Sequence, residues 1–206
     1  MSVDVGGVNV SRETYESLSA FAELVRKWTP KINLIASSTV SDIWERHIVD
    51  SAQIYGFSPQ KYAHWVDIGS GGGFPGIVMA VMGKELQPDA QFTLIESDQR
   101  KATFLRTAVR ELHLNVTVIA DRIEKTEPQM ADVVSARALS TLSALIPLVG
   151  RHLTPDGRAI LHKGKRAQEE IAEARLSWRF DLEESPSLTD LEGQVLVIQR
   201  ISRVDE

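Results

Sequence analysis

His64-Trp65-Val66-Asp67-Ile68-Gly69-Ser70-Gly71-Gly72-Gly73-Phe74-Pro75-Gly76 is the stretch that decides how this chain folds. A short apolar run, Trp65 to Ile68, meets five glycines in eight residues and then the apolar Ile77-Val78-Met79-Ala80-Val81-Met82. The order reads strand, tight turn, helix. Glycines let backbone come close to a ligand, and a helix that begins at the turn offers free N–H groups. Asp67 stands two residues before Gly69, so the local pattern is acidic-x-Gly-x-Gly-x-Gly. Packing alone does not ask for so many glycines, each of which costs chain entropy. The turn is therefore expected to hold a nucleotide-like ligand.

Outward from the turn, strands and helices alternate. Strands are expected at 65–68, 91–96, 116–119, 132–135, 158–162, 179–184 and 194–201, with helices at 75–83, 98–113, 140–151 and 166–177. Such alternation argues for a mostly parallel sheet of seven strands with helices on both faces. The last two strands have no helix between them, which predicts a terminal antiparallel hairpin. Toward the N-terminus, Ser11 can cap a helix whose stripe is Tyr15, Leu18, Ala22, Val25 and Trp28, with Pro30 expected to end it. A second helix is expected near 41–55, with Trp44, Ile48, Ala52 and Tyr55 on one side. Residues 1–60 thus read as a helical extension packed on an α/β body of residues 61–206, the whole forming a single globular unit.

The chain has 206 residues, 43% hydrophobic and 25% charged, ordinary values for a soluble globular domain. Its apolar runs are far shorter than the roughly 20 residues a membrane span needs. Met1 to Val10 lacks a basic region followed by an apolar core, so no secretory signal is expected and the cytoplasm is the expected location. There is no cysteine, which removes disulfides, thiolate-rich metal sites and every cysteine nucleophile; no metal site is expected. The formal net charge of −5 weighs against a general grip on nucleic acid, though a local basic mouth can coexist with an acidic remainder.

Three ligands compete for the turn. A phosphate loop needs Gly-Lys-Ser/Thr after the glycines, and here Phe74-Pro75 follow. A dinucleotide turn needs Gly-x-Gly-x-x-Gly, which Gly71, Gly73 and Gly76 match, with Glu96 20 residues beyond Gly76. The S-adenosylmethionine turn shares the same logic, and two features favour it. Its glycines, Gly69, Gly71 and Gly73, start directly after the strand, whereas the dinucleotide match starts two residues late. All three tyrosines precede the turn, so the Tyr-x-x-x-Lys pair of short-chain dehydrogenases is missing downstream. Glu96, after Leu94-Ile95, can accept two ribose hydroxyls at once; the plainer alternative is a solvated acid capping the next helix. A nicotinamide-dependent oxidoreductase, a small-molecule methyltransferase and a non-catalytic nucleotide-binding module remain open on these residues alone.

Asp67-Ile68-Gly69-Ser70-Gly71-Gly72-Gly73-Phe74-Pro75-Gly76-Ile77 resembles the signature of the bacterial small-subunit rRNA guanine-N7 methyltransferases, long called the glucose-inhibited division protein B family. Five other stretches resemble it too: Trp28 to Leu34, Arg46-His47-Ile48-Val49-Asp50-Ser51, Glu96 to Leu105, Arg122-Ile123-Glu124, and Ser135-Ala136-Arg137-Ala138. The last departs from the family's Ser-Arg-Ala by one residue ahead of the arginine. The resemblance implies a class I S-adenosylmethionine-dependent methyltransferase with a Rossmann-like sheet and additional N-terminal helices. It implies S-adenosyl-L-methionine as methyl donor and N7 of one guanine in 16S rRNA as acceptor, on free RNA or in the assembling small subunit. Carried over by position, Gly69 and Phe74 contact the donor, Ile123 and Glu124 lie beside its adenine, and Arg137 faces its reactive end. Arg46 and His47 are placed at the mouth of the site. The protein is expected to act as a monomer, away from membranes.

The residues also bear on the chemistry directly. Guanine N7 carries an exposed lone pair, so alignment matters more than an acid–base pair, and no catalytic dyad is evident. The missing cysteine removes the covalent route to carbon-5 pyrimidine methylation, and the Asn/Asp-Pro-Pro-Tyr/Phe motif of exocyclic-amine methylation is absent. Arg137 is the expected catalytic residue, donating to guanine O6 while N7 stays free; its plain alternative is a salt bridge. Asp67, Gly71, Gly73 and Glu96 complete the expected donor site. Arg46 and Asp50, four apart, read most simply as an intrahelical ion pair. Lys163, Lys165 and Arg166 follow the fifth strand on the ligand side of such a sheet and are expected to touch RNA phosphate. Arg100, Lys101, Arg106 and Arg110 crowd one helix, as a solvated face or a second basic patch.

Overall fold

A computed structural model describes residues 2–205. It begins with a small hairpin, β1 (Val3–Val5) and β2 (Val8–Val10), where the sequence reading expected no strands. The signal was there: Val-Asp-Val and Val-Asn-Val flank Gly6-Gly7, which is the turn chemistry of a tight hairpin. Val5 and Val10 turn inward and are buried. Ser11 then caps α1 (Arg12–Ile32), its side chain accepting the Thr14 N–H.

Pro30 does not end α1. It sits in the last turn, and the helix closes at Asn33, whose φ of 51° is left-handed and whose N–H reaches Thr29 O at 2.8 Å. A left-handed asparagine is one of the ordinary ways to finish a helix. The expected second helix is irregular: a π-helical turn Trp44–Val49, one α-helical turn α2 (Asp50–Ala52) and a 3-10 turn Gln53–Phe57. Ile48 and Ala52, from the expected apolar stripe, are fully buried.

The α/β body follows the expected alternation. Its elements are β3 (His64–Ile68), α3 (Gly76–Leu86), β4 (Gln91–Ile95), α4 (Gln99–Glu111), β5 (Val116–Ile119), β6 (Ala131–Arg137), α5 (Leu142–His152), β7 (Leu153–Lys163), α6 (Ala167–Ala174), β8 (Trp178–Pro186) and β9 (Gln194–Arg203). The seven strands β3 to β9 form one sheet in the order β5-β4-β3-β6-β7-β9-β8. β3 to β7 run parallel, and β9 lies antiparallel to both β7 and β8. From β3 the chain moves outward through β4 and β5, then returns to β6 on the other side of β3. That reversal opens a crevice at the carboxyl ends of β3 and β6, where such sheets bind ligands.

Alternation along β3 divides the core in two. Trp65 faces α1, α3 and α4, while Val66 and Ile68 face α5 and α6. The cluster on the first face takes Val5, Leu18 and Phe21 from the N-terminal region together with Met79, Phe92 and Phe104 from the body. Burying side chains of this size stabilises the fold by roughly 1.5–3 kcal/mol each. Residues 2–60 therefore share a core with the sheet they cover. On the same face Trp65 Nε1–H donates to Ser135 Oγ (2.9 Å), which donates in turn to Asp67 Oδ1 (2.7 Å).

Gly76 lies where α3 passes closest to the sheet. A Cβ there would stand 2.3 Å from Leu94 Cδ2 and 2.7 Å from Asp67 Oδ2. Gly76→Ala should therefore destabilise the protein by about 2 kcal/mol through overpacking, lowering Tm by roughly 4–8 °C for a chain of this size. Thermal unfolding followed by circular dichroism checks this; an unchanged Tm would mean that α3 can lift off the sheet at no cost.

Candidate active site

Two cavities open at the carboxyl ends of the parallel strands, and Arg137, the last residue of β6, lines both. The first has a volume of about 430 Å³ and is lined by Gly69, Gly71, Glu96, Ile123, Glu124 and Arg137 among others. Gly69 and Gly71 carry φ values of 68° and 53°, which side-chain-bearing residues rarely adopt. The N–H groups of Gly69 and Ser70 donate to Ile95 O at 2.9 and 3.1 Å, pinning the turn to β4. Glu96 is buried, and its carboxylate accepts the Gly71 N–H through Oε2 and the Asp98 N–H through Oε1, each at 2.7 Å. A carboxylate offers about four acceptor positions, so two remain for a ligand. A Cβ on Gly71 would meet only Gly69 O, at 3.8 Å, so the turn is open at that point.

The remaining glycines serve a different purpose, which corrects the expectation that packing does not ask for them. A Cβ on Gly72 would lie 2.9 Å from Leu34 O, and one on Gly73 would lie 2.8 Å from Phe21 Cζ. With Gly76 against Leu94, these three let the N-terminal region and the sheet close on the turn. Gly73 and Asp67 do not line the first cavity. Asp67 is buried beside Ser135, and burial pushes its carboxyl up to about 6 against the hydrogen bond from Ser135. Phe74 is also outside that lining. Its ring lies 5.1 Å from Phe21 and 5.0 Å from His47, and the Arg137 guanidinium sits over it at 5.1 Å.

The second cavity, of about 350 Å³, is lined by Arg46, His47, Asp50, His162, Asp190 and Gln194 among others. Arg137 is held there from several sides. Its Nη1 donates to Asp50 Oδ2 at 3.0 Å, and its Nη2 donates to His47 Nδ1 at 2.8 Å. Desolvation opposes the Asp50 charge, but His162, a hydrogen bond from Thr189 and Arg137 together hold its carboxyl below the usual range. Burial lowers the Arg137 guanidinium from its ordinary value, and Asp50 opposes this; arginine stays protonated in either case. Burial and the Arg137 charge push His47 down to about 4. The imidazole is thus neutral near pH 7, with Nε2–H facing Thr39 Oγ1 at 2.8 Å and Nδ1 free to accept from Arg137.

That arrangement has a pH signature. The folded value of His47 lies below its ordinary 6.5, so between pH 6.5 and about 4 the unfolded chain binds more protons than the folded one. Stability contributed by neutral His47 is fully present above pH 6.5 and is lost as pH falls through that window. His47→Gln should make stability less steep against pH there, by up to one proton or about 1.4 kcal/mol per pH unit. Urea midpoints measured across the window would test it, and identical slopes for both proteins would refute it.

The structure rearranges the expected ion pairs. Arg46 does not pair with Asp50, because Asp50 turns toward Arg137; the carboxylate nearest Arg46 is that of Asp190, at 3.8 Å. Lys163 is turned inward, donating to Ser140 O and to Glu170 at 2.8 Å, with its side chain 7% exposed. Its ammonium is thus committed to the protein and not presented to a phosphate. Lys165 and Arg166 are exposed, Arg166 lying 2.9 Å from Glu169. Sequence reasoning missed His162, Thr189 and Asp190. Only His162 left a signal, as the penultimate residue of a strand ending at the crevice. The other two come from the β8–β9 connection, which carries no motif.

The chain matches a family model described as rRNA small subunit methyltransferase G over residues 14–198. It is 52% identical to the "Ribosomal RNA small subunit methyltransferase G" of Cereibacter sphaeroides over 197 residues, spanning 96% of this chain and 95% of that protein. The protein of the same name from Ruegeria pomeroyi is 45% identical over 204 residues, 99% of this chain and 100% of the relative. Among solved structures, the O-methyltransferase TomG from Streptomyces achromogenes, in complex with SAM, superimposes with a TM-score of 0.58 at 13% identity, covering 89% of each chain. This last likeness supports the Rossmann-like fold.

Proposed function

The chain belongs to the rRNA small subunit methyltransferase G family, and on that premise we propose how its residues divide the work. It is an S-adenosylmethionine-dependent methyltransferase that modifies 16S rRNA, and the acceptor we assign is N7 of one guanine. The observation that carries the assignment is the pair of cavities that share Arg137. One suits the donor and the other a base, so the atom that attacks and the group it receives meet beside one guanidinium.

The first cavity fits the donor. Gly69 and Gly71 hold the turn open, and the Glu96 carboxylate keeps two acceptor positions for the ribose hydroxyls. Ile123 and Glu124 form the wall expected beside the adenine. When bound, the donor supplies an electrophilic methyl on a sulfonium sulfur, which the N7 lone pair takes up without first losing a proton. Asp67, Gly73 and Phe74 support the turn from behind. Phe74 also carries the Arg137 guanidinium on its ring.

Of the five N–H donors of Arg137, two go to Asp50 and His47 and a third faces Arg46 O at 3.4 Å. Two remain to hold guanine O6 and so align N7. Asp50 balances the guanidinium charge, so the base, which becomes cationic on methylation, meets no net local positive charge. His47 cannot serve as a base while its Nδ1 accepts from Arg137, and N7 methylation needs none. Arg46, Lys165 and Arg166 are assigned to the RNA backbone around the base. No helix of the described residues is long and apolar enough to cross a membrane. We place the enzyme in the cytoplasm, as a monomer acting on 16S rRNA or the assembling small subunit, with residues 1–60 as an extension of the catalytic body.

The test is methyl transfer from labelled donor to 16S rRNA from cells that lack the modification, followed by nuclease digestion and mass analysis. N7-methylguanosine at one position is the expected product. A different methylated nucleoside, or none on either free RNA or small subunits, would overturn the reading.

A further inference from the structure

The second cavity holds two carboxylates, and they are in different states. Both oxygens of Asp50 are engaged: Oδ1 accepts from Thr189 Oγ1 at 2.6 Å and Gln53 Nε2 at 2.9 Å, while Oδ2 accepts from Arg137. In Asp190 only one is. Its Oδ1 accepts the Glu192 N–H at 3.0 Å, but Oδ2 has no hydrogen-bond donor, Arg46 Nη1 being 3.8 Å away. The side chain is 45% exposed and borders the cavity.

The loop that carries Asp190 is nevertheless fixed. Ser187 N–H donates to Gly193 O and Gly193 N–H to Asp190 O, each at 2.9 Å. Leu188 N–H donates to Gln53 Oε1 at 2.8 Å, and Thr189 hydroxyl is held by Asp50. Asp50 therefore ties down both Arg137 and the Asp190 loop, and sets two recognition groups on one cavity. A carboxylate with a free oxygen, held by its backbone at the rim of a base-sized cavity, is arranged in advance for adjacent N–H donors.

We propose that Asp190 reads the Watson–Crick edge of the target guanine, accepting its N1–H and N2–H groups while Arg137 holds O6. This rests on the assignment of guanine N7 as the acceptor. Guanine is the base that places two adjacent donors on that edge; adenine presents a bare N1 there, which a carboxylate repels. The contact requires an edge free of its pairing partner, so the site takes an unpaired guanine.

The experiment uses 16S rRNA carrying guanosine or inosine at the methylated position, prepared by splinted ligation and supplied free or assembled into small subunits. Inosine keeps N7, O6 and N1–H and lacks the N2 amine. For the wild type, kcat/KM on inosine RNA should be roughly 10- to 100-fold lower, the effect of losing a hydrogen bond to a charged group. Asp190→Ala removes both contacts, so it should lose at least that factor on guanosine RNA and treat the two RNAs alike. Asp190→Asn, which keeps the shape and the Glu192 contact, turns an NH₂ toward the guanine N–H groups, so it should lose at least as much as Asp190→Ala on guanosine RNA while its Tm matches the wild type. Equal rates of the wild type on both RNAs would overturn the proposal, as would full discrimination retained by Asp190→Ala. If the wild type left guanosine RNA unmethylated in both forms, the N7 assignment itself would fail, and this inference with it.

Discussion

Replacing Arg137 with lysine should slow methyl transfer by about 10²- to 10³-fold, the usual effect of removing one positioned donor at a reacting centre, while donor affinity changes only a few-fold. A lysine keeps the positive charge but not the planar fork. It can satisfy Asp50 or His47, not both, and it has no face to lay on Phe74. Single-turnover methyl transfer, set beside equilibrium binding of labelled donor, separates the two effects. A rate within tenfold of the wild type would mean that the fork geometry is not what aligns the base. Alanine is the poorer test. In Arg137→Ala the Asp50 carboxylate would lose its cation where its side chain is 16% exposed. Some activity lost in that variant would come from stability, because an unpaired, largely buried charge is costly.

Glu96→Gln should weaken donor binding by about 100-fold, equivalent to roughly 2.7 kcal/mol. The carboxylate joins two backbone N–H groups, those of Gly71 and Asp98, and is assigned the ribose hydroxyls as well. A glutamine keeps one acceptor oxygen and points an NH₂ at one of those N–H donors, so a hydrogen bond becomes a donor–donor clash. Two charge-assisted bonds worth about 1.5–3 kcal/mol each are at stake. The fold should survive, because the Gly69 and Ser70 N–H groups still hold the turn to Ile95 O. Calorimetric titration with the donor gives the number; an affinity within threefold of the wild type would remove Glu96 from the donor site.

The two variants act at neighbouring points of one construction. α1 presses Phe21 against Phe74 and Gly73, and Phe74 carries Arg137. The N-terminal region, which looked like a preface, supplies one wall of the turn and, through Arg46, His47 and Asp50, part of the second cavity. Its removal would uncover the apolar side of α3, which is buried from Gly76 to Gly83.

By itself the sequence determined what is local. The apolar run before the glycines, the alternation of strand and helix, the closing pair of strands and the acid after β4 can all be read from neighbours in the chain. They depend on side-chain periodicity and turn chemistry, which act over a few residues. The seven strands, and Gly69, Gly71 and Glu96 on the lining of the first cavity, were legible for that reason; Ile123 and Glu124, on the same lining, came from the family resemblance. Only the tertiary structure decided which glycines border the first cavity and which face Leu34, Phe21 and Leu94, because close approach involves a partner elsewhere in the chain. It alone showed that Asp50 turns from Arg46, four residues away, to Arg137 and Thr189, 87 and 139 residues on. It turned Lys163 inward to Glu170 and brought Asp190 to the cavity. Strand order sets these pairings, and strand order comes from how the whole sheet buries its two faces, a quantity no window of sequence contains.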